Sequence, residues 1–361
     1  MPDLTISLVI PVYNAEKDID HLFQSLVNQT HPLDEIILVD NNSRDRSLEK
    51  CNKFKSDNPD RNIIVLTETK KGPSAVRNAG LRKATSGILA LTDADCMLDK
   101  DWCKNVLERF EKDILYDILG GIAAGTEIFG KEQTFESYTE EFCYYYWTKN
   151  RQSKAAYPMN RVDDFFSSAA FTVATYNVAM KRHVFEKTSG FDETLLNQED
   201  TDWWMRCCQH GFKSLVGIPE IRVCHRNRKE LRSLYRQYYN YGEGLPLLLK
   251  KFFRGRFLIT FRSQKIMELH IFTGLMEINP HTLLLFLILF HILFFPPAWI
   301  FIYFLALFSV RSFLIYSYIR NFTRPGIKKV LAFVFIMEAR QTAWSVAAFR
   351  GMFKYGAFYL I

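Results

Sequence analysis

Strands and helices alternate four times in the first third of the chain, and this pattern restricts the fold more than any other feature. Short runs rich in β-branched residues are followed by segments whose apolar residues recur with helical spacing. The predicted strands are residues 5–10, 35–39, 62–66 and 88–91. The predicted helices are residues 16–29, 48–54, 73–84 and 102–110. This alternation is typical of βαβ units, so we predict an α/β fold whose parallel sheet is covered on both faces.

Two carboxylates one residue apart follow the fourth predicted strand. Residues i and i+2 of an extended chain point the same way, so Asp93 and Asp95 can face one point. In open α/β sheets, ligands bind at the carboxyl ends of strands. Carboxylate oxygens suit Mg²⁺ or Mn²⁺, which commonly join a protein carboxylate to a substrate phosphate. We therefore predict a divalent-cation site here, the alternative being a solvated turn with two acidic residues.

Five further motifs occur in order around this one. The full series is Ile10-Pro11-Val12-Tyr13-Asn14, Val39-Asp40-Asn41-Asn42-Ser43, Gly72-Pro73-Ser74-Ala75-Val76-Arg77-Asn78-Ala79-Gly80, Asp93-Ala94-Asp95, Gly190-Phe191-Asp192-Glu193 and Glu199-Asp200. In this order the motifs resemble the inverting family 2 glycosyltransferases. The resemblance implies a GT-A fold, which is the Rossmann-like fold of nucleotide-diphospho-sugar transferases, and an enzyme that takes its sugar from such a donor.

The resemblance places the nucleotide at the ends of the first two strands. Pro11, Tyr13 and Asn14 end the first strand. Asp40 ends the second, where its carboxylate would accept a hydrogen bond from the base; alternatively, Asp40 forms an Asx turn. Glu16 either joins this pocket or lies at a helix N-terminus, where negative charge is stabilised.

The third motif and the acidic pair are expected to bind the rest of the donor. Arg77 and Asn78 belong to the donor site, and Arg77 pairs either with the diphosphate or with the metal-site carboxylates. Gly80 allows close packing of its helix on the sheet. The resemblance implies that Asp95 holds the cation and that Asp93, also counted in the metal site, contacts the ribose or a cation-bound water.

Further residues are assigned to the same cavity by the resemblance. His225 is either an additional metal ligand or a structural histidine. Arg226 and Arg228 either close over the diphosphate or belong to a basic membrane-facing block. Asn177 lies on the acceptor-side strand and is expected to contact the sugar.

The last motif implies the general base. In the family, a carboxylate here removes the proton of the acceptor hydroxyl as its oxygen attacks the anomeric carbon, and displacement from the far side inverts the configuration. Asp200 is the first choice and Glu199 the second, with Asp192 and Asp202 as weaker candidates. The alternative is a pair of acids that favours a helix N-terminus.

One absent motif bears on the reaction. Processive synthases of this superfamily carry Gln-x-x-Arg-Trp after the base, and residues 234–239 do not match it. We therefore favour transfer of a single sugar to a glycan, a lipid-linked saccharide or a polyprenyl phosphate. The alternative is a catalytically silent scaffold that binds nucleotide sugar. A dehydrogenase is set aside because the first strand is not followed by Gly-x-Gly-x-x-Gly.

The last third of the chain is expected to lie at a membrane. Residues 222–265 hold twelve Lys and Arg against two Glu, and a basic block beside an apolar run favours an anionic membrane over nucleic acid. Residues 282–310 have no Asp, Glu, Lys or Arg but contain Pro296-Pro297, so they form either one kinked span or a hairpin. Basic flanks on both sides favour the hairpin. Residues 330–353 fit a helix lying in the interface, or a buried amphipathic helix.

These observations give a domain organisation and a location. We expect a catalytic domain at residues 1–225, a basic juxtamembrane helical region at 226–280, and a membrane-embedded segment with an interfacial helix at 281–361. The seven cysteines contain no CxxC pair, as is typical of a reduced cytosolic set, and the N-terminus lacks a signal-peptide pattern. The expected enzyme is at the cell membrane with its catalytic domain in the cytoplasm, uses Mg²⁺ or Mn²⁺, and has no nucleic-acid partner.

Overall fold

The computed structural model describes most of the N-terminal half of the chain and parts of the rest. The described residues are 4–124, 138–139, 157–160, 174–195, 197–225, 230–252, 259–264, 268–273, 276–278, 309, 312–313, 316–317, 320 and 326–355. Except for Ser309, the apolar run at 282–310 lies outside them. The chain divides into two compact units: unit 1 is Met1–Glu127, Trp147–Phe165 and Ala170–Arg226, and unit 2 is Ile128–Tyr146, Phe166–Ala169 and Asn227–Ile361.

Unit 1 is an α/β layer structure. Its described strands are β1 (Ile6–Val12), β2 (Glu35–Asp40), β3 (Ile63–Thr67), β4 (Ile88–Thr92), β5 (Cys96–Leu98), β6 (Ile118–Ala124), β7 (Tyr157–Met159), β8 (Asn177–Lys181) and β9 (Ser214–His225). Its described helices are α1 (Ile19–Val27), α2 (Ser47–Asp57), α3 (Pro73–Lys83), α4 (Trp102–Lys112), α5 (Arg182–Thr188) and α6 (Glu199–Gln209). The predicted α/β class is confirmed.

The strands form one mixed sheet in the order β3-β2-β1-β4-β8-β6-β9-β5, with β7 paired to β9. The predicted parallel pairing is confirmed for β1 to β4. The rest of the sheet is mixed, because β8 is antiparallel to β4 and to β6, β5 is antiparallel to β9, and β6 is parallel to β9. The strand–helix alternation ends after α4, and the later strands join the sheet in both directions. The predicted parallel sheet thus describes the part of the chain where strands and helices alternate.

Local packing explains where two of the predicted helices lie. The helix predicted at residues 16–29 begins only at Ile19, because the amides of Ala15 and Glu16 donate to side chains of the β2–α2 loop. Helix α3 packs closely on the sheet, and a Cβ added at Gly80 would lie 2.2 Å from Val9 Cγ1. The prediction that Gly80 allows close helix–sheet packing is confirmed.

Unit 2 contains two long helices and a small antiparallel sheet. The helices are α7 (Leu231–Phe252) and α8 (Ile327–Tyr355). The sheet contains β10 (Ile259–Gln264), β11 (Glu268–Thr273) and β12 (Met276–Ile278), in that order. The region at 226–280, expected to be helical, is thus partly strand, because Ile, Thr and Phe give residues 259–273 a β preference. A helix at residues 330–353 is confirmed. Within the described ranges, α8 is the one helix long and apolar enough to cross a membrane.

Candidate active site

Asp93 and Asp95 lie in the turn between β4 and β5. Every residue of β4 is buried, and the backbone N–H of Cys96 donates a 3.1 Å hydrogen bond to the carbonyl of Asp93. The side chains of Asp93 and Asp95 are both partly exposed. The buried strand therefore brings both carboxylates to the protein surface at its carboxyl end, where the sequence predicts the site.

His225 lies beside Asp95 because of strand register. β5 pairs antiparallel with β9, and Cys96 is directly opposite His225. The Nε2 atom of His225 is 3.6 Å from Asp95 Oδ1, and its ring is 5.1 Å from the ring of Tyr176. Potential ligand atoms of Asp95, Cys96 and His225 all lie within 4.8 Å of one another.

The donor atoms of this cluster fit a hard divalent cation at two of the three residues. Carboxylate oxygen suits Mg²⁺ and Mn²⁺, and imidazole nitrogen extends the set towards transition metals. Cys96 differs, because burial, followed by the charges of Asp95 and Asp93, raises the pKa of its thiol well above the usual value. A thiolate is also a soft ligand, which suits Mg²⁺ and Mn²⁺ less well than carboxylate oxygen does. Asp95 and His225 could therefore hold the cation, whereas Cys96 packs in the core.

Arg77 of α3 connects the two acidic motifs. Its Nη1 donates a 2.8 Å hydrogen bond to Glu199 Oε1, and its Nη2 lies 3.2 Å from Asp93 Oδ1. The side chain is only 6% exposed, and its guanidinium carbon is 5.8 Å from the centre of the Phe191 ring. Burial alone would lower the pKa of Arg77, but the carboxylates of Asp93 and Glu199 outweigh it and hold the pKa above the usual value.

Glu199 and Asp200 begin helix α6, as predicted, but their surroundings differ. Gln198, just before the helix, has φ of 61°, which turns the chain sharply into α6. Glu199 is held by Arg77. Burial and then the adjacent Glu199 carboxylate raise the pKa of Asp200 from 3.8 to about 6. A carboxyl group with a pKa near neutrality is suited to proton transfer, whereas the Glu199 carboxylate is anchored by Arg77.

Asn78 holds the turn that leads towards α6. Its Nδ2 donates to the carbonyl of Phe191 at 2.8 Å and to Glu193 Oε1 at 2.9 Å, while its Oδ1 accepts from the Phe191 N–H at 2.8 Å. The side chain is buried. Gly190 has φ of 72°, and a Cβ there would lie 2.3 Å from Asn78 Oδ1. These contacts use the amide of Asn78 to hold the turn, and its contact with the donor stays a prediction.

The loops after β1 and β2 are joined by polar contacts. The N–H of Asn14 donates to Ser43 Oγ at 3.0 Å, and Asn14 Oδ1 accepts from the N–H of Arg44 at 2.8 Å. Asp40 is buried at the end of β2, and its carboxylate accepts from the N–H of Ser43 at 3.1 Å. The local turn alternative for Asp40 is therefore present in the structure, and its contact with a base remains a prediction.

The same edge of the sheet carries Pro11, Tyr13 and Glu16. Pro11 is within β1, and Tyr13, just after β1, exposes 62% of its surface. The carboxylate of Glu16 pairs with the guanidinium of Arg46 at 2.6 Å, and hydrogen bonds from Arg46 lower the pKa of Glu16. The carboxylate of Glu16 thus lies at the N-terminus of α2 and not at that of α1, the helix that follows Glu16 in the chain. Tyr13 presents an exposed aromatic ring at the predicted nucleotide position.

Asn177 begins strand β8, and its side chain is buried. It is 2% exposed, and its Oδ1 accepts from Trp102 Nε1 at 2.9 Å. Its Nδ2 donates to the carbonyls of Ile122 and Ile221, each at 3.0 Å. These bonds use the amide to join β8 to its neighbours, and the contact with the sugar stays a prediction.

Sequence reasoning missed Arg206, which anchors α6. Its side chain donates to Asp202 Oδ2 at 2.8 Å and to the carbonyls of Thr188 and Gly190 at 2.7 Å each. Asp202 is fully buried in this contact, and Asp192 accepts from Thr194 in a local turn. The i,i+4 spacing of Asp202 and Arg206 on a helix is the signal that could have indicated this pair.

Arg226 and Arg228 lie outside the described residues. The two acidic motifs, by contrast, lie within unit 1, and Arg77 joins Asp93 to Glu199 across a large separation in sequence. His225 joins Asp95 in the same unit. The geometry thus combines a candidate cation site, a buried guanidinium and a carboxylate with a raised pKa.

The comparisons with known proteins agree with one another on the family. Residues 7–186 match the model described as Glycosyl transferase family 2. Glycosyltransferase AglE from Haloferax volcanii is 27% identical over 246 residues, which cover 66% of this chain and 72% of AglE. A Methanococcus voltae enzyme is 22% identical over 278 residues, which cover 75% of this chain and 82% of the enzyme. Its name is dolichyl N-acetyl-alpha-D-glucosaminyl phosphate 3-beta-D-2,3-diacetamido-2,3-dideoxy-beta-D-glucuronosyltransferase.

Among solved structures, the fold is similar to that of the mannosyltransferase PcManGT from Pyrobaculum calidifontis, solved in complex with GDP-Man and Mn²⁺. The TM-score is 0.55 at 15% identity, and the match covers 97% of this chain and 87% of that one. This likeness concerns the fold, and the sequence matches concern the family. With its GT-A fold and its matching sequence, the chain belongs to the family 2 glycosyltransferases.

Proposed function

We propose that the chain transfers a single sugar from a nucleotide-diphosphate sugar to an acceptor, with inversion at the anomeric carbon. The observation that carries this proposal is the contact of one buried guanidinium with both acidic motifs, Asp93 at 3.2 Å and Glu199 at 2.8 Å. Donor binding and acceptor activation require these motifs to share one site, and Arg77 supports that arrangement.

In this proposal, the donor lies along the carboxyl ends of β1, β2 and β4. Asp95 and His225 would hold Mg²⁺ or Mn²⁺, and Asp93 would contact the ribose. When bound, the cation neutralises charge on the leaving diphosphate. PcManGT was solved with GDP-Man and Mn²⁺, which supports both the donor class and a divalent cation. Tyr13, exposed beside the turn after β1, would face the base.

The proposed general base is Asp200. It would take the proton from an acceptor hydroxyl while the acceptor oxygen attacks the anomeric carbon from the side opposite the diphosphate, so the configuration inverts. Its raised pKa supports this role, because a general base works best when its pKa lies near the working pH. Arg77 donates a hydrogen bond to Glu199 and holds it in place, so Glu199 would position the start of α6 and is second to Asp200 as the base.

The proposed acceptor is a glycan, a lipid-linked saccharide or a polyprenyl phosphate at a membrane. The Methanococcus voltae relative is named for a dolichyl-linked acceptor, which supports this class. The basic residues of 222–265 suit an anionic membrane surface. We place unit 1 on the cytoplasmic side of the cell membrane, with the domain boundaries at 225 and 280 that the sequence predicts.

A transfer screen tests the proposal. The purified chain is incubated with UDP- and GDP-sugars and each acceptor class, in Mn²⁺, Mg²⁺ or EDTA, and products are identified by mass spectrometry and NMR. We expect one added sugar, dependence on the cation, and an anomeric configuration opposite to the donor's. Donor binding without transfer or hydrolysis in any combination would favour the silent scaffold, and retained configuration or polymeric product would contradict the mechanism.

A further inference from the structure

Helix α8 carries an exposed apolar strip along its whole length. Six large apolar side chains on it are between 45% and 76% exposed: Ile327, Leu331, Phe335, Val346, Phe349 and Phe353. At about 100° per residue, all six project within an arc of about 100° on one side of the helix. The apolar side chains therefore form a strip on one side of α8, in two groups at residues 327–335 and 346–353.

Two charged residues lie in the middle of α8, Glu338 and Arg340, and only Arg340 is buried. Arg340 is buried, its guanidinium carbon lies 4.8 Å from the centre of the Tyr238 ring, and its Nη1 is 3.3 Å from the Tyr238 hydroxyl. Among the described side chains between 330 and 349, the exposed ones are Leu331, Phe335, Thr342, Val346 and Phe349. Glu338, which is partly exposed, projects within the same arc, so the outward face carries one carboxylate between its two apolar groups.

Helix α7 covers the opposite side of α8 and runs parallel to its C-terminal half. A Cβ at Gly242 of α7 would lie 2.3 Å from the carbonyl of Trp344, and one at Gly351 of α8 would lie 2.5 Å from the carbonyl of Glu243. Lys250, near the end of α7, donates to the carbonyl of Tyr355 at 2.7 Å. The two helices therefore form a closely packed pair with their axes in the same direction.

The outer surface of α7 is hydrophilic, and this determines which side of the helix pair can contact a bilayer. Its exposed residues include Arg232, Arg236, Asn240, Lys250 and Lys251. A hydrocarbon core does not tolerate such a row of polar side chains facing lipid. Because α7 lies beside α8, the pair has one face suited to water and one suited to lipid, an arrangement typical of a helix lying along a membrane surface.

The charge of the pair specifies the kind of bilayer. Together α7 and α8 contain nine Lys and Arg but only two Glu. Lys328 and Arg350 are exposed next to the apolar strip, and Lys354 is exposed at its C-terminal end. Long basic side chains at the edge of an apolar surface reach lipid headgroups while their stems stay in apolar contact. Anionic headgroups are their complement.

We propose that the apolar strip of α8 seats this helix in the surface of an anionic bilayer, parallel to the membrane plane, with α7 on its water side. This inference rests on the proposed function, whose membrane partner it specifies. It differs from a spanning role for α8, in which Phe335 and Val346 would lie deep in the hydrocarbon. It also differs from pairing of two copies of the chain through the strip.

The test measures the depth of individual positions in the full chain. An environment-sensitive fluorescent amino acid replaces Leu331, Phe335, Val346 or Phe349, and each protein is reconstituted with vesicles of phosphatidylcholine and phosphatidylglycerol at about 3:1. Brominated lipids with bromine near the headgroup or near the chain end quench by depth. Leu115, an exposed apolar residue of unit 1, is the matched control position.

We expect quenching at all four positions of α8, stronger from the shallow bromine than from the deep one, and none at Leu115. In phosphatidylcholine alone, where headgroups carry no net charge, quenching at α8 should fall at least twofold. Strongest quenching by the deep bromine at Phe335 and Val346 would replace the proposal by a spanning helix. Absence of lipid quenching, with or without contact between copies, would overturn it.

Two readouts separate this inference from the proposed function. Nucleotide-sugar binding is measured in the same labelled proteins, because none of the substituted residues belongs to the catalytic machinery. Normal donor binding with no lipid quenching removes the inference alone. Lipid quenching with no donor binding contradicts the proposed function and leaves the membrane contact standing. The double substitution Phe335→Glu and Phe349→Glu should abolish quenching at Val346, whereas Leu115→Glu should not.

Discussion

Arg77 donates a hydrogen bond of 2.8 Å to Glu199, a residue far away in the sequence, while its other terminal nitrogen contacts Asp93. One buried guanidinium therefore fixes the relative position of the acidic turn after β4 and the start of α6. Neither carboxylate motif by itself determines this arrangement around Arg77.

Removing Arg77 should damage both stability and activity. Arg77→Ala removes the guanidinium that pairs with Glu199, at a site where both side chains are largely buried. The free energy of unfolding should therefore fall by about 3–5 kcal/mol. Arg77→Lys keeps a charge but not the two-pronged contact, so it should retain more stability and still lose turnover. Chemical denaturation and steady-state kinetics measure the two effects.

The exposed pair Lys53 and Asp57 on α2 provides the control for Arg77. Lys53→Ala should change the free energy of unfolding by less than about 1 kcal/mol, as is usual for surface ion pairs. If Arg77→Ala lowers the free energy of unfolding as little as this control does, the buried ion pair does not stabilise the fold.

Activity should depend on the ionisation of Asp200. Its pKa is raised from 3.8 to about 6 by burial and by Glu199. A protonated base cannot accept the acceptor's proton, so transfer should fall as the pH decreases below about 6. A pH–rate profile of kcat/KM for a hydroxyl acceptor measures this, and a profile that stays flat through that range would be inconsistent with Asp200 as base.

The same shift predicts an effect of Asp200→Asn on stability. Because the pKa in the folded state is above its ordinary value, the ionised group destabilises the fold above pH 6, and this penalty disappears as the pH falls towards 3.8. Asp200→Asn should therefore raise the free energy of unfolding at neutral pH by up to about 3 kcal/mol, while greatly slowing transfer. Little or no gain at neutral pH, compared with wild type at the same pH, would show that the site does not penalise the charge.

The turn at Gly190 is predicted to tolerate no side chain. Gly190 and Gly211 both have positive φ, but a Cβ at Gly190 would collide with Asn78, whereas one at Gly211 would have no atom within 4 Å. Gly211→Ala should cost about 1 kcal/mol from backbone conformation alone. Gly190→Ala should cost clearly more and should lower kcat as well, because this turn leads to α6. Equal losses in thermal melts of the two variants would argue against the collision.

His225 should contribute to cation affinity. His225→Ala is expected to weaken Mn²⁺ binding at least about tenfold, whereas Cys96→Ser should leave it unchanged, since the buried thiol is not a ligand in this site. The control is His183, whose Nε2 is 3.1 Å from Asp117 Oδ1 away from the acidic motifs. His183→Ala should bind Mn²⁺ as the wild type does in electron paramagnetic resonance titrations. An equal response of the two histidine variants would remove His225 from the site.

The sequence predicts the parallel half of the fold because its strands alternate with helices there. The acidic turn follows from the same reasoning, since β4 is an uninterrupted apolar run before Asp93. The position of His225 beside Asp95 could not follow from periodicity, because it depends on antiparallel register between β5 and β9.

The two asparagines show the limit of motif reasoning. Asn78 and Asn177 are expected in the site from their place in a motif or strand, yet their amides are used by neighbouring backbone and by Trp102 or Glu193. Whether an amide faces a ligand or the core depends on which carbonyls the tertiary fold brings near it. Sequence spacing carries no such information, whereas burial and hydrogen-bond geometry decide it.

Separate measurements of donor binding and transfer in Asp95→Asn and Asp200→Asn test most directly whether the two acidic motifs form one catalytic site. Asp95→Asn should lose Mn²⁺-dependent donor binding in calorimetry. Asp200→Asn should bind the donor nearly as the wild type does but transfer the sugar about 10²–10⁴-fold more slowly in single turnovers. Wild-type transfer by Asp200→Asn, or unchanged Mn²⁺-dependent donor binding by Asp95→Asn, would contradict the shared site.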